Sequence, residues 1–163
     1  MFAQLDTKSV YSFMDSVVDL NSYVERAKGL GYQALGLMDR DNLYAAYHFA
    51  QLASRSGLRP LIGMEANLFY EGRKIPFRLL AKNNQGYKNL MKLATELSSG
   101  QRELTAFSDY LNAIALILPS EDWESGMTLG SEVFIGVRPE DAGKEFDYPV
   151  VPLHTVRYFE NSD

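Results

Sequence analysis

The sequence has no cysteine, which excludes a disulfide framework and any metal site built on thiolates. Absence of cysteine also fits a cytoplasmic protein, because thiol-poor and disulfide-free chains suit a reducing compartment. Histidine is scarce, with only His48 and His154. His48 falls inside a helical pattern and reads as a packing or surface residue. His154 follows a strand pattern and is the better ligand candidate, but one imidazole does not make a metal centre. Positive charge is in deficit, with 16 Lys and Arg against 21 Asp and Glu and a formal charge of −5. A free-standing nucleic-acid-binding module relies on a net basic face, so that class is disfavoured. No apolar run approaches the roughly eighteen residues of a membrane span. The opening Met1-Phe2-Ala3-Gln4-Leu5-Asp6 has neither the basic start nor the apolar stretch of a signal peptide. No Gly-x-Ser-x-Gly nucleophile motif, P-loop or Gly-rich dinucleotide loop is present.

What is present suits one ordinary domain. The 163 residues are 46% hydrophobic and 23% charged, with ten Tyr and nine Phe to fill a core. Asp19 or Asn21 is placed to cap a helix running to about Lys28, with Leu20, Val24 and Ala27 at helical spacing and Gly29-Leu30-Gly31 ending it. Ala34 to Met38 reads as a buried parallel strand stopped by Asp39-Arg40-Asp41-Asn42. A helix capped by Asp41 or Asn42 is expected over Leu43 to Ser56, with Leu43, Tyr47 and Ala50 on one face and Gly57 as its stop. Leu61 to Tyr70 and Ile75 to Ala81 read as a hairpin about Glu71-Gly72. Asn83 or Asn84 caps a helix to about Leu97, with Tyr87, Leu90, Met91 and Ala94 as its stripe. A short helix near Phe107, a buried strand Ala113 to Leu118, a short acidic helix from Pro119, and strands Glu132 to Val137 and Tyr148 to Leu153 complete the chain. Strands alternating with helices predict an α/β fold with a largely parallel sheet.

The opening stretch organises the rest. Gln4, Asp6 and Lys8 share one parity, so a strand would carry them on one face. That face suits the mouth of a site; the alternative is an edge strand with a wet face. In parallel α/β folds functional groups gather at the carboxyl ends of strands. The ends here offer Asp6, Lys8 and Asp15, then Asp39 and Arg40, and finally His154, Thr155 and Arg157, while Glu65 lies along a strand. Four carboxylates from three elements could hold a hard divalent ion. Equally, Asp39 and Asn42 could cap a turn, and Glu65 could pair with Lys8 or Arg40.

At these positions the chain resembles the PHP (polymerase and histidinol phosphatase) domain family, in the form found at the N-terminus of bacterial DNA polymerase III alpha subunits of the DnaE type. Phe2 to Asp15 is similar to the family opening Phe-x-His-Leu-His-x-His-Ser-x-Tyr-Ser-x-x-Asp. Leu37-Met38-Asp39-Arg40-Asp41-Asn42-Leu43-Tyr44 resembles Thr-Asp-His-x-Asn-Leu-Tyr. Gly57-Leu58-Arg59-Pro60-Leu61-Ile62-Gly63-Met64-Glu65 resembles Gly-x-Lys-Pro-Ile-x-Gly-x-Glu. Leu79-Leu80-Ala81-Lys82-Asn83 with Gly86-Tyr87-x-Asn89-Leu90 is the stretch most distinctive of the polymerase branch. Pro149-Val150-Val151 with Val156-Arg157-Tyr158-Phe159 resembles the segment ending Asn-Asp-x-His-Tyr.

The resemblance implies a PHP-type distorted (β/α)7 barrel, truncated at its C-terminal end, with residues 1–163 forming the N-terminal domain of a larger polymerase chain. An absent last barrel unit would leave a sheet edge open and favour self-association. In metal-binding members the opening strand supplies imidazoles to divalent ions. Here the three His positions hold Gln4, Asp6 and Lys8, the second motif's His is Arg40, and the last motif's Asp and His are Thr155 and Arg157. Asp15, Asp39 and Glu65 keep the family residue. Imidazole donates a lone pair to a metal, which Lys and Arg cannot do. At roughly 4 Å and an effective dielectric of 20, each cation placed there is worth several kcal/mol against a divalent ion. The expectation is therefore a dismantled metal site with Lys8, Arg40 and Arg157 among Asp6, Asp15, Asp39 and Glu65, no catalytic residue, and no cofactor in this domain. The Mg²⁺ of the family belongs to the polymerase regions. Expected partners are the remaining polymerase domains in cis and a proofreading exonuclease subunit, with DNA met through the full-length protein and no membrane. The alternative reading is a metal-dependent phosphoesterase or 3′–5′ exonuclease, as in members with an intact site.

Overall fold

The computed structural model describes residues 3–130, 132–141 and 143–158; Phe2 and Phe159, invoked in the motifs above, lie outside them. The described elements are strands β1 (Ala3–Gln4), β2 (Asp6–Thr7), β3 (Ala34–Arg40), β4 (Arg59–Tyr70), β5 (Arg73–Ala81), β6 (Ile114–Pro119), β7 (Val133–Val137), β8 (Val150–Pro152) and β9 (Thr155–Val156), and helices α1 (Leu20–Gly29), α2 (Ala46–Arg55) and α3 (Asn84–Ser98). Short 3₁₀ turns occupy Leu104–Tyr110, Ser120–Asp122 and Pro139–Asp141. The fold is α/β, and the chain forms two compact units, residues 1–64 with 154–163 and residues 65–153.

In the first unit the strand order is β1-β3-β4, and β2 pairs separately with β9. The β1–β3 and β2–β9 pairs are parallel, with Asp6 opposite Thr155. The expected continuous opening strand is broken at Leu5, so β1 and β2 serve different partners. Asp6, Thr7, Lys8 and Ser9 are all fully buried, which overturns the wet-face alternative: both parities of the segment are covered. The cause of the tight packing is visible at Gly36, where a Cβ would lie 2.1 Å from the Leu5 carbonyl oxygen. Only glycine admits so close a backbone approach.

Helix α1 starts where its sequence requires. The Asp19 side chain accepts a hydrogen bond from the Ser22 N–H at 3.0 Å; the Ser22 side chain and then this bond hold the Asp19 carboxyl below the usual carboxylate range. The buried face is Leu20, Tyr23, Val24 and Ala27. Together with Leu35, Leu37, Phe49, Ala53 and Leu58 it forms the core of this unit, and Tyr23 stacks on Phe49 at 5.9 Å.

Helix α2 departs from expectation. It begins at Ala46, not Leu43, with no side-chain cap, and it buries Ala46, Phe49 and Ala53. Tyr47, placed on the apolar face by spacing, is exposed. Asn42 instead shapes the turn before the helix, accepting from the Tyr44 N–H and donating to the Tyr11 and Arg40 carbonyls.

In the second unit the order is β4-β5-β6-β7-β8. Glu71 and Gly72 both have positive φ, 50° and 79°, the geometry of a tight primed hairpin turn. Helix α3 is capped by Asn83, which accepts from the Gln85 and Gly86 N–H groups. Its buried face is Gly86, Asn89, Leu90, Leu93 and Leu97, one step round from the expected stripe, and Met91 is exposed. The β6–β7 and β7–β8 pairs are parallel, but β5 and β6 are antiparallel, with Ala81 opposite Ile114. Helix α3 and the 3₁₀ turn after it make an excursion that returns the chain to the end of β5 it left, so β6 runs back along β5. That reversal is an antiparallel step within a sheet whose β1–β3, β6–β7 and β7–β8 pairs are parallel, as expected. The strand expected over Tyr148 to Leu153 is the shorter β8, and β9 after it was not anticipated.

Candidate functional site

Three connected polar centres lie in the first unit. The first is Asp6, carried by β2. Its Oδ1 accepts from Lys8 Nζ at 2.8 Å, and its Oδ2 accepts from Thr155 Oγ1 at 2.6 Å. Lys8 and Asp6 are both fully buried. The register of β2 against β9 places Thr155 across from Asp6, and the Lys8 N–H extends that pairing by donating to the Val156 carbonyl. Thr7, of the other parity, donates to the Tyr23 hydroxyl, which donates to the Gly36 carbonyl at 3.0 Å. Burial pushes the Tyr23 phenol up, well above the ordinary tyrosine value. Gln4 donates its amide to the carbonyls of His154 and Asp6, so it ties strands together.

The second centre is Asp39, near the end of β3. Its Oδ1 accepts from the Ser9 N–H and from Ser12 Oγ, and its Oδ2 accepts from Ser9 Oγ, all at 2.7 Å. Ser12 Oγ in turn accepts from the Arg40 N–H at 3.0 Å. Asp39 therefore pins the loop after β2 to the end of β3. Ser9 and Ser12 are the partners of Asp39 that the sequence reading did not single out; a serine pair three apart beside an aspartate-ended strand was the available signal.

The third centre is Asp15, held between two guanidinium groups. Arg40 reaches Oδ2 at 2.8 Å and Arg157 reaches Oδ1 at 3.1 Å. Both arginines are part-exposed, so each pair is worth about 0–1 kcal/mol. Ser16 Oγ reinforces the junction by lying within 2.7 Å of the Lys8 carbonyl and 2.8 Å of the Arg157 carbonyl.

Glu65 belongs to the second unit. Its carboxylate pairs with Arg78 at 3.2 Å, and both side chains are buried. Arg78 also donates to the Pro76 carbonyl at 2.7 Å. Arg78 was not singled out from sequence; a lone cation inside the apolar run Phe77-Arg78-Leu79-Leu80 was the clue. Both histidines are exposed, and His154 enters the site through its backbone carbonyl.

The structure thus brings Gln4, Asp6, Lys8, Asp15, Asp39, Arg40, Thr155 and Arg157 into one network in the first unit. Residues 4–125 match the PHP domain family, and the chain belongs to it. The α/β, PHP-type fold expected from sequence is the one found. Over its whole length the chain is 45% identical to the DNA polymerase III subunit alpha of Streptococcus pyogenes serotype M1, covering 16% of that protein. Over 74% of its length it is 33% identical to the DNA polymerase III subunit alpha of Bacillus subtilis (strain 168), covering 11% of it. The chain therefore spans a minor part, 16% or less, of the curated relatives it matches. Among solved structures it is similar to an amidohydrolase from Chromobacterium violaceum, with TM-score 0.54 and 11% identity, covering 76% of this chain and 69% of that one.

The residues present fit a divalent metal poorly. Both oxygens of Asp6, of Asp15 and of Asp39 accept hydrogen bonds or ion pairs from this chain's own donors. A metal would have to displace Lys8, Thr155, two arginines or two serines. Among the described residues no group of three or more His, Asp or Glu side chains is placed to hold an ion. Among the same residues no helix is long and apolar enough to cross a membrane.

Proposed function

We propose that this chain is the PHP domain of a DNA polymerase III alpha subunit, residues 1–163 forming one domain of a longer cytoplasmic polypeptide, and that its role is structural. In this reading the metal site is degenerate and holds no catalytic residue. Side-chain cations do the electrostatic work that metal ions do in members with imidazole ligands. The domain buttresses the polymerase regions in cis and docks a proofreading exonuclease subunit. DNA and Mg²⁺ are engaged by the other regions of the full-length protein.

One observation carries the reading: every carboxylate oxygen of Asp6, Asp15 and Asp39 is already engaged by Lys8, Thr155, Arg40, Arg157, Ser9 or Ser12. A Lewis acid needs those lone pairs, and so does a metal-bound water. Homology over the whole chain supplies the polymerase context. The test is hydrolysis of a phosphodiester and of single-stranded DNA with Mn²⁺, Zn²⁺ or Mg²⁺ added. The scaffold reading expects no turnover above background with any of them. Metal-dependent cleavage that disappears in Asp39→Asn would replace it with the phosphoesterase or exonuclease reading.

A further inference from the structure

The loop 10–17 has its polar side chains turned inward and its large apolar ones outward. Asp15 and Ser12 are tied down as described above, and Ser12 and Asp15 N–H groups donate to Ser9 and Ser12 carbonyls within the loop. Tyr11, Phe13, Met14 and Val17 are exposed, Phe13 at 88% and Met14 at 95%. Met14 also holds a left-handed φ of 61°, a conformation uncommon for a long side chain. Tyr44, 79% exposed, lies on the neighbouring turn that Asn42 bonds to the Tyr11 carbonyl. An apolar tip fixed in place and rimmed by Arg40, Asp15 and Arg157 has the anatomy of a docking anchor, because a fixed loop loses little entropy on binding.

We propose that Phe13 and Met14 seat in an apolar pocket of the polymerase regions carried in cis by the full-length alpha subunit. This rests on the scaffold reading above and names the surface through which the scaffold acts. The observations that favour an occupant in cis are two. The relatives extend far beyond the matched share, which is 16% of their length. The loop is also stitched to the last described residues, since the Val17 N–H and Ser16 Oγ both reach the Arg157 carbonyl. The polar network of the old site then has a present use: it sets the loop that carries the anchor.

The experiment is peroxide footprinting of the full-length alpha subunit that contains this chain. Peroxide transfers one oxygen to a thioether sulfur, giving the sulfoxide and water. Met14 is 95% exposed in this chain and Met91 43%, so exposure alone makes Met14 the faster of the two. Docking reverses that order, with Met14 oxidised several-fold more slowly than Met91, and Phe13→Asp restores fast oxidation of Met14. Met14 oxidised faster than Met91 in the full-length protein overturns the proposal. So does protection that fades on dilution, which marks a second copy, or protection that requires added exonuclease subunit. Zinc and manganese content measured on the same sample separates the two readings: stoichiometric zinc or manganese that Asp39→Asn removes, with a protected Met14, sinks the scaffold reading alone, and an exposed Met14 without those metals sinks the docking contact alone.

Discussion

Lys8 Nζ lies 2.8 Å from Asp6 Oδ1, and neither side chain reaches solvent. A buried ion pair recovers its desolvation cost only when its remaining lone pairs are satisfied. Thr155 satisfies the second oxygen of Asp6. Lys8→Met leaves the Asp6 carboxylate buried without its cation, and the expected loss of stability is about 3–5 kcal/mol. The double variant Asp6→Asn with Lys8→Met loses much less than the sum of the two single changes, with a coupling of about 1–3 kcal/mol. Urea denaturation of the four proteins in the cycle measures it. Additive losses would show that the pair is not coupled.

Asp39 accepts three hydrogen bonds from Ser9 and Ser12, and a bond to a charged acceptor contributes about 1.5–3 kcal/mol. Ser12→Ala removes one of them and also the acceptor for the Arg40 N–H. The expected cost is about 2 kcal/mol, with amide exchange in residues 9–12 and at Arg40 accelerated more than elsewhere. Native exchange rates confined to that loop are the check, and a loss spread evenly over the chain would contradict the pinning role.

Asp141 gives a pH dependence of defined sign. The Arg138 N–H, then the Lys144 ammonium and the Ser120 hydroxyl, bond its carboxylate and hold its pKa well below the ordinary range. A lowered folded-state pKa means that the unfolded chain binds the proton more readily. The stabilising contribution is complete above the unfolded value of about 4 and is lost as pH falls from there toward the folded value. Asp141→Asn therefore flattens the acid limb of the stability curve below about pH 5 and lowers stability at pH 7. Asp122 has the opposite sign: burial and then Glu121 raise its pKa, so protonating it as pH falls favours the fold. Thermal unfolding between about pH 3 and 7 for both Asn variants resolves the two.

Much of the fold was legible where local chemistry and tertiary packing agree. Asp19 and Asn83 cap their helices because an extended residue with a short acceptor has few alternatives. The Glu71-Gly72 hairpin and the run Ile114 to Leu118 follow from turn chemistry and from unbroken apolarity. The misreadings occur where amphipathic side chains blur the stripe. Tyr47 and Met91 carry apolar surface at helical spacing, yet Phe49 and Leu93 define the buried faces. At the candidate site the motif positions were legible, and the partners were not. Arg78 for Glu65, and Ser9 and Ser12 for Asp39, are set by strand register and loop closure, which residue spacing does not encode. The break at Leu5, where the backbone comes against Gly36, was equally invisible to a period-two pattern.

Metal content tests the central claim most directly. The protein is purified without chelator, incubated with zinc and manganese, desalted, and analysed by inductively coupled plasma mass spectrometry alongside Lys8→Met. The account predicts no stoichiometric divalent metal on the unsubstituted chain, because Lys8, Arg40 and Arg157 already occupy the carboxylates of Asp6 and Asp15. One or more ions per chain, retained through desalting and removed only by a strong chelator, would contradict it.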